Sequence, residues 1–368
     1  MRRTAGLLVV LASVSFACGT FLAEDGSDDT PPRSNDPDAS TDPDGAVNGA
    51  DGGGTGCTDC EPVKVTSVGE EPRAMALSAT DIFIAVRTPG PGADVLYRMA
   101  KTAVAGTDTP TVFGQTDNPT DLATDDAFLY VAMWNGPTSR IPFSGGAASN
   151  LFGCLRNFSV APATNDDFYF VTKCSDGAPV NLSRTSKTSA ISVTSQGEIV
   201  DDPNGQPRYG DQVFGYVAID ATSVFVSNAH AIRIFPRNFG NGEPPTTTIP
   251  VDDAFVYNLV ADDRLYVRTN SEVRAYAKDG SAVVRLAGDN AIESDYQDPG
   301  TLIRLPLAVA GNDVYFTKMN PPTVHRVAKI GGPVIDLATT TSAPIAIAAD
   351  ATHLYWATKG GEIWRKRR

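Results

Sequence analysis

The chain has 368 residues, with 43 acidic and 30 basic side chains that give a formal net charge of −13. This charge is unevenly distributed, because residues 24–62 carry −10 whereas residues 63–368 carry only −5. A nucleic-acid-binding domain needs a basic face that neutralises phosphates, so the balance argues against that class. With 42% hydrophobic residues overall, the chain can bury a sizeable core within residues 63–368.

The N-terminus has the pattern of an export signal. Arg2 and Arg3 precede an apolar stretch at residues 7–17, which has the length of a signal-peptide hydrophobic region and is too short to span a bilayer. A small residue directly before Cys18 resembles the lipobox of bacterial lipoproteins. That resemblance implies a signal peptide over residues 1–17, lipidation of Cys18 and anchoring to the outer membrane. A secreted or soluble periplasmic protein is the alternative.

Residues 18–62 form the next segment, which we interpret as the lipidated cysteine followed by a disordered acidic tether. The segment is rich in Asp, Gly, Pro, Ser and Thr and has almost nothing apolar to bury. Ordering such a segment costs more conformational entropy than its burial returns. It is therefore expected to act as a solvated spacer between the anchor and the globular part.

An aromatic residue between two apolar neighbours recurs seven times after residue 62. Successive aromatics lie between 39 and 56 residues apart. Each triplet follows an apolar run that ends in turn residues, and it precedes a short run that holds a base and often closes on glycine. Self-similarity at such a period indicates a repeat architecture with one unit per triplet. The seven aromatics are Phe83, Tyr130, Tyr169, Phe225, Tyr266, Tyr315 and Tyr355.

Four short strands in each unit of about 45 residues are typical of β-propeller blades. We therefore predict an all-β fold, a seven-bladed β-propeller over residues 63–368, with six or eight blades as alternatives. The last unit stops at Arg368 after its third strand, and an extra strand at residues 63–68 precedes the first unit. Pairing the two would complete the last blade with an N-terminal strand and remove an exposed sheet edge.

Two units contain a known motif in degenerate form. Residues 355–358 (YWAT) and 315–318 (YFTK) resemble YWTD repeats. The whole chain is similar to bacterial surface lipoproteins that carry a YWTD-like β-propeller on an acidic tether. Propellers of the YWTD family have six blades, so the resemblance implies one blade fewer than the seven predicted from the repeat.

Four cysteines remain besides Cys18, an even number that suits an exported protein, in which disulfides persist. We predict the pairs Cys57–Cys60 and Cys154–Cys174. A redox pair or half of a zinc site at the CxxC is the alternative, although zinc would need a second pair of ligands. The three histidines fall in separate turns and strands, so the sequence predicts neither a metal site nor a catalytic triad.

Two kinds of polar residue recur within the repeats. An Asp or Thr at the turn between the first and second strands is interpreted as a turn cap, because such side chains bond nearby amides. An Arg on the third strand is interpreted as covering apolar surface between blades while its head reaches water. Binding roles are the alternatives for both. The turn residues are Asp125, Thr164, Asp220 and Asp350, and the arginines are Arg98, Arg140, Arg184, Arg326 and Arg365.

A candidate binding surface lies at one end of the predicted channel, where the turns between second and third strands meet the connections between blades. Irregular insertions at residues 196–215 and 288–304 reach this end. Long loops with aromatics and carboxylates on a rigid scaffold commonly serve recognition, and loops that have merely drifted in length are the alternative. The predicted surface residues are Trp134, Asn135, Asp202, Arg208, Tyr209, Asp295, Tyr296 and Arg304.

We predict a non-catalytic binding module for an envelope protein or a glycan. It would act as a monomer, without metal, cofactor, catalytic residues or nucleic acid, and would meet the bilayer through its acyl anchor only. A propeller-fold carbohydrate-active enzyme (a lyase or glycosidase) and an envelope assembly scaffold are the alternatives. A glycosidase needs two carboxylates flanking the scissile bond, and Asp202 and Asp295 are the two that could converge.

Overall fold

A computed structural model shows the chain as a set of β-strands. It describes residues 60–69, 71–88, 93–154, 156–174, 180–188, 194–198, 215–227, 230–251, 256–288 and 305–368. The predicted signal peptide, Cys18, Cys57 and nearly all of the tether lie outside these ranges. The described residues belong to one compact unit, Thr55–Arg368.

The strands form where short apolar runs alternate with turn residues. The first strand of blade 1, Glu71–Leu77, alternates between buried and half-buried positions. Second strands are buried almost throughout, as in Asp81–Arg87 and Leu265–Thr269, because neighbouring sheets cover both of their faces. Glycine pairs lie in two of the turns that follow third strands, and all four glycines have positive φ, which a side chain would resist.

The described residues contain 28 strands in seven four-stranded antiparallel sheets, and each sheet is one blade. Blades 1 to 4 consist of β2 (Glu71–Leu77), β3 (Asp81–Arg87), β4 (Asp94–Ala100) and β5 (Thr111–Thr116); β6 (Pro119–Thr124), β7 (Phe128–Met133), β8 (Thr138–Pro142) and β9 (Ser149–Phe152); β10 (Arg156–Pro162), β11 (Asp167–Lys173), β12 (Asn181–Ser186) and β13 (Thr194–Glu198); and β14 (Tyr216–Ile219), β15 (Ser223–Ser227), β16 (Ala231–Pro236) and β17 (Thr247–Pro250). Blades 5 to 7 consist of β18 (Val256–Ala261), β19 (Leu265–Thr269), β20 (Glu272–Tyr276) and β21 (Val283–Gly288); β22 (Leu307–Ala310), β23 (Asp313–Met319), β24 (Pro322–Ala328) and β25 (Ile335–Thr339); and β26 (Pro344–Ala349), β27 (His353–Thr358), β28 (Glu362–Arg367) and β1 (Val63–Ser67).

The ring closes through the N-terminal strand, as the sequence predicted. Strand β1 pairs antiparallel with β28, with Val63 opposite Arg365 and Ser67 opposite Glu362. Val65 of β1 is buried and packs with Ile363 of β28. First strands of successive blades contact one another all the way round, including β26 with β2. The predicted seven-bladed β-propeller is therefore confirmed.

The core consists of seven clusters, one at each interface between blades. The recurring aromatic of each second strand is buried and faces the following blade; Tyr169 of blade 3, for example, packs with Val217 and Val224 of blade 4. Its two apolar neighbours face the preceding blade, because side chains alternate along a strand. The triplet recurs in the sequence because second strands are packed on both sides.

We expect Val65→Ala to lower the free energy of unfolding by about 2 kcal/mol, because it opens a cavity where β1 seals the last blade. Lys64→Ala, on the exposed side of the same strand, is the control; it removes only a surface ion pair with Glu362 and should change the free energy of unfolding by less than about 1 kcal/mol. Chemical denaturation of the purified domain measures both. Equal effects of the two variants would contradict a sealing role for β1.

Candidate functional site

The two ends of the propeller differ in their polar chemistry. We call the end with the turns between strands 1 and 2, and between strands 3 and 4, the latch face. The loop face is the opposite end, with the turns between strands 2 and 3 and the connections from blade to blade. Antiparallel order within each blade fixes this assignment.

On the latch face, three recurring aspartates cap their own turns. Asp125 Oδ1 accepts the amides of Ala127 and Phe128 at 2.9 and 2.8 Å. Asp220 and Asp350 accept the equivalent pairs of amides two and three residues further on. The interpretation as turn caps is therefore confirmed for these three residues.

The same turns also receive a side chain from the following blade, which the sequence analysis did not predict. In six blades the first or second residue after the third strand is a base that reaches the first turn, or the second-strand tyrosine, of the preceding blade. In blade 2 this place is taken by Phe143, whose ring stacks on Phe83 of blade 1 at 5.2 Å. The six polar contacts are Lys101–Asp350 (2.8 Å), Lys187–Asp125 (2.9 Å), Arg237–Asn165 (2.9 Å), Lys278–Asp220 (2.7 Å), Lys329–Asp263 (3.0 Å) and Arg368–Tyr315 (2.8 Å).

The third-strand arginines bind the neighbouring blade more directly than expected. Arg98 donates to the carbonyl of Phe143 at 2.6 Å, and Arg365 donates to that of Lys101 at 2.7 Å. Arg184 likewise donates to the carbonyl of Arg237 at 3.0 Å. The guanidinium groups of these three arginines therefore donate to the backbone of the next blade. In each case the accepting carbonyl comes just after the third strand of that next blade, at the same height as the arginine.

These contacts set the charge state of the turn aspartates. Burial alone would raise the pKa of Asp350, but hydrogen bonds from Lys101 and from the amides of Thr352 and His353 outweigh it and hold the pKa well below the ordinary 3.8. The pKa of Asp125 and of Asp220 is lowered by the same balance, with Lys187 and Lys278 as donors. The recurring acids of the latch face are thus ionised and already paired within the ring.

The sequence does contain a signal for these contacts, in which a base after a third strand reaches the preceding blade. A base follows the third-strand arginine by three residues in Arg98/Lys101 and Arg184/Lys187, and the spacing recurs in Arg326/Lys329 and Arg365/Arg368. The partner of each base depends on which blade lies next to it in space, and the spacing alone does not predict that partner.

Most residues of the predicted binding surface lie outside the described ranges: Asp202, Arg208, Tyr209, Asp295, Tyr296 and Arg304. The bounds of the two insertions need correction, since residues 196–198 belong to β13 and Gly288 is the last residue of β21. Backbone pairing with β12 and β20 extends these fourth strands further than the irregular sequence indicated.

Trp134 and Asn135 lie in the turn after β7, on the loop face. The ring of Trp134 is half-buried and meets Phe158 of blade 3 edge to face, with centroids 5.6 Å apart. Asn135 is exposed. Trp134 is thus at least in part a packing residue, and a binding role for either residue stays a proposal.

A disulfide joins two segments of the loop face. Cys154 follows β9 and Cys174 follows β11, and their Cα atoms lie 4.2 Å apart. The bond ties the connection between blades 2 and 3 to the end of a second strand. Pairing of Cys57 with Cys60 stays a prediction, because Cys57 lies outside the described residues.

Three cations at the loop-face ends of strands are largely buried without a close acidic partner in the described part of the chain. Lys173, the last residue of β11, is 7% exposed and has no carboxylate within salt-bridge distance there. Arg73 of β2 has one acid, Glu71, at 3.9 Å, and its Nε is buried without a hydrogen bond. Arg268 of β19 is 3% exposed and has no acid at salt-bridge distance among the described residues.

The histidines do not form a site together. His325 lies on β24, His353 begins β27, and His230 lies in the turn before β16. Among the described residues, no group of three or more His, Cys, Asp or Glu side chains could hold a metal ion. Within the same ranges, no helix has the length and apolar character needed to cross a membrane.

No protein-family model matches the chain, and no curated protein matches it in sequence. Solved structures do match. Virginiamycin B lyase from Staphylococcus aureus, in a catalytically inactive form with quinupristin, is 12% identical with a TM-score of 0.60, over 83% of this chain and 97% of that one. BamB from Moraxella catarrhalis is 13% identical with a TM-score of 0.52, over 83% and 100%.

A third match is the extracellular domain of a one-component system from B. thetaiotaomicron, 13% identical with a TM-score of 0.55, over 84% of this chain and 40% of that one. Identities this low show a shared propeller fold. They confirm the coarser part of the predicted resemblance, the β-propeller fold. The YWTD relationship and the lipid anchor stay predictions.

We expect Asp350→Asn to lower the free energy of unfolding at neutral pH by about 1–3 kcal/mol, because it weakens a charge-assisted hydrogen bond between blades 7 and 1. A carboxylate with a depressed folded-state pKa contributes in full above its unfolded pKa and loses that contribution as the pH falls towards its folded pKa. Below pH 3.8 the variant should therefore lose stability less steeply than the wild type.

Denaturant unfolding at a series of pH values measures both effects. Asp126→Asn, at an exposed position of a comparable turn, is the control. Parallel pH profiles for Asp350→Asn and the wild type would show that this latch does not stabilise the ring.

Proposed function

We propose that the chain is a lipid-anchored extracytoplasmic β-propeller that binds an envelope protein or a glycan through its loop face, without catalysing a reaction. The observation that carries the proposal is the contrast between the two faces. Recurring acids and bases of the latch face are paired with one another across blade interfaces. The loop face instead holds buried cations that lack a close acidic partner among the described residues, namely Lys173 and Arg268, and Arg73, whose nearest carboxylate is Glu71 at 3.9 Å.

This uncompensated positive charge on the loop face favours binding of an anionic ligand, because a buried charge without a partner costs free energy. Within the described part of the chain, folding alone gives no reason to keep Lys173 and Arg268 at the loop-face ends of their strands, and Glu71 compensates Arg73 only weakly at 3.9 Å. A ligand that carries negative charge would supply the missing partner. Loops on a rigid scaffold are also where recognition residues concentrate.

An extracytoplasmic location agrees with the disulfide between Cys154 and Cys174, because such bonds persist in oxidising compartments. The export signal at residues 1–17 and the lipobox-like Cys18 supply the route and the anchor. In this proposal the acidic tether keeps the propeller clear of the bilayer, and the domain works as a monomer.

A propeller enzyme is the second candidate, because one of the similar structures is a lyase. An enzyme would convert its ligand, whereas a binding module or an assembly scaffold would return it unchanged. Analysis of a captured ligand before and after incubation with the purified domain separates these cases.

We expect the purified domain to capture a partner from detergent-solubilised envelope, and capture should weaken as salt rises because the cations of the loop face contribute to it. Replacing residues 199–214 by a Gly-Ser segment of equal length should reduce capture strongly and leave the strands on either side intact. Ile330→Ser, at a 92% exposed position of the latch face, is the control. Equal capture by both variants would contradict the assignment of the binding surface to the loop face.

Cys18→Ser should move the protein from the membrane fraction to the soluble fraction, because it removes the acyl attachment point. Cys57→Ser, a cysteine change elsewhere in the predicted tether, is the control and should stay with the membrane. Fractionation followed by immunoblotting reads out both. Membrane retention of Cys18→Ser would refute the lipid anchor.

A further inference from the structure

Arg268 departs from the repeat at a position where the other blades carry small or apolar residues. It lies two residues after the recurring aromatic Tyr266, on a side chain row that faces the following blade. Five blades have Ala, Ser or Thr there and one has Val, because neighbouring sheets approach closely at this level. The equivalent residues are Ala85, Ala132, Val171, Ser227, Thr317 and Ala357.

The guanidinium group of Arg268 is only partly satisfied. Its Nη2 donates to the carbonyl of Thr317 in blade 6 at 2.8 Å, and its Cζ lies 5.4 Å from the centre of the Phe316 ring. Nε and Nη1 are buried and have no hydrogen-bond partner among the residues that the structure describes. Thr317 O accepts one of the two Nη2 hydrogens. The other Nη2 hydrogen and a neighbouring N–H of the guanidinium can therefore still donate together to a single ligand.

The surroundings contain a second unused polar atom. His325 stacks on Phe316 with centroids 5.1 Å apart, and its Nδ1 lies 2.8 Å from Asp336 Oδ1. Its Nε2 is buried and has no hydrogen-bond partner in the described part of the chain. The interface between blades 5 and 6 thus holds an arginine and a histidine, both with free polar atoms, on the same aromatic ring.

Burial of Arg268 is unfavourable in the protein as it stands. It lowers the pKa of the guanidinium to about 9, so the group still carries its charge at neutral pH. A buried charge of this kind calls for an anion with matching hydrogen-bond geometry. A carboxylate fits best, because its two oxygens match an edge of the guanidinium fork.

We propose that Arg268 is the binding point for a glutamate or aspartate side chain of a protein partner, which enters between blades 5 and 6 from the loop face. Arg268 is the second-last residue of β19, so its backbone lies one residue from that face. A carboxylate on a slim methylene stem reaches a 3% exposed group more readily than one attached directly to a sugar ring. This inference rests on the proposed function for the choice of face, and it narrows the ligand to an acidic protein segment.

The test uses capped tripeptides as probes, acetyl-Gly-Glu-Gly-amide and its Gln counterpart, with glucuronate as a sugar-borne carboxylate. Ligand-observed NMR compares their binding to the full propeller and to Arg268→Met, which keeps the apolar stem and removes the charge. Arg87→Met, at the exposed end of the second strand of blade 1, is the matched control.

We expect the Glu peptide to bind about tenfold or more tightly than the Gln peptide, and Arg268→Met but not Arg87→Met to abolish the difference. Without probe, Arg268→Met should melt at or above the wild-type temperature, because an unpaired buried charge has been removed. Preference for glucuronate over the Glu peptide would overturn the assignment to a protein partner. Equal binding of the Glu and Gln peptides to the wild type would overturn the site itself.

A third result would also overturn the proposal. If Arg268→Met melts well below the wild type without probe, the charge is already compensated in the folded protein, by Thr317 and Phe316 or by an acid of the chain, and needs no ligand. Capture from solubilised envelope keeps the two proposals apart. Probe binding that depends on Arg268, without any partner captured from the envelope, would uphold this site and contradict the proposed function. A captured partner without probe binding that depends on Arg268 would uphold the proposed function and contradict this site.

Discussion

The structure depends on one repeated contact, the packing of each blade against the next through the aromatic of its second strand. Phe83, Tyr169 and Tyr266 are fully buried at such interfaces, where truncation of an aromatic typically costs about 3–5 kcal/mol. The Asp–Lys latches above them are worth about 1–3 kcal/mol each. Apolar packing therefore holds the blades together, while the latches fix how each first turn sits on the following blade.

The different roles of the apolar packing and of the contacts on the latch face explain why the two faces differ. Every interface on the latch face places a base or Phe143 against the preceding blade, so a substitution there disturbs the ring itself. Connections on the loop face vary in length, and their described residues carry no such recurring pair. A protein that must keep its ring closed can change only the loop face freely, and ligand-binding residues are expected to collect there.

Arg268 illustrates how a local departure from a repeat can point to function. Six blades keep a small or apolar residue where blade 5 has arginine, and the guanidinium is buried with two nitrogens unpaired. Natural proteins commonly give up stability at binding sites, because groups that await a ligand are poorly satisfied without it. The disulfide at Cys154 and Cys174 stabilises another part of the same face.

The sequence by itself determined the all-β repeat and the closing strand and favoured seven blades over six or eight, because the period of about 45 residues and the unit that lacks a fourth strand can be read from the chain alone. It also indicated the turn caps at Asp125, Asp220 and Asp350, since those contacts are local. Only the tertiary structure decided which base meets which aspartate, that Trp134 packs on Phe158, and that Arg268 lies buried beside His325. Those contacts join residues of different blades, and their partners follow from the geometry of ring closure rather than from any local pattern.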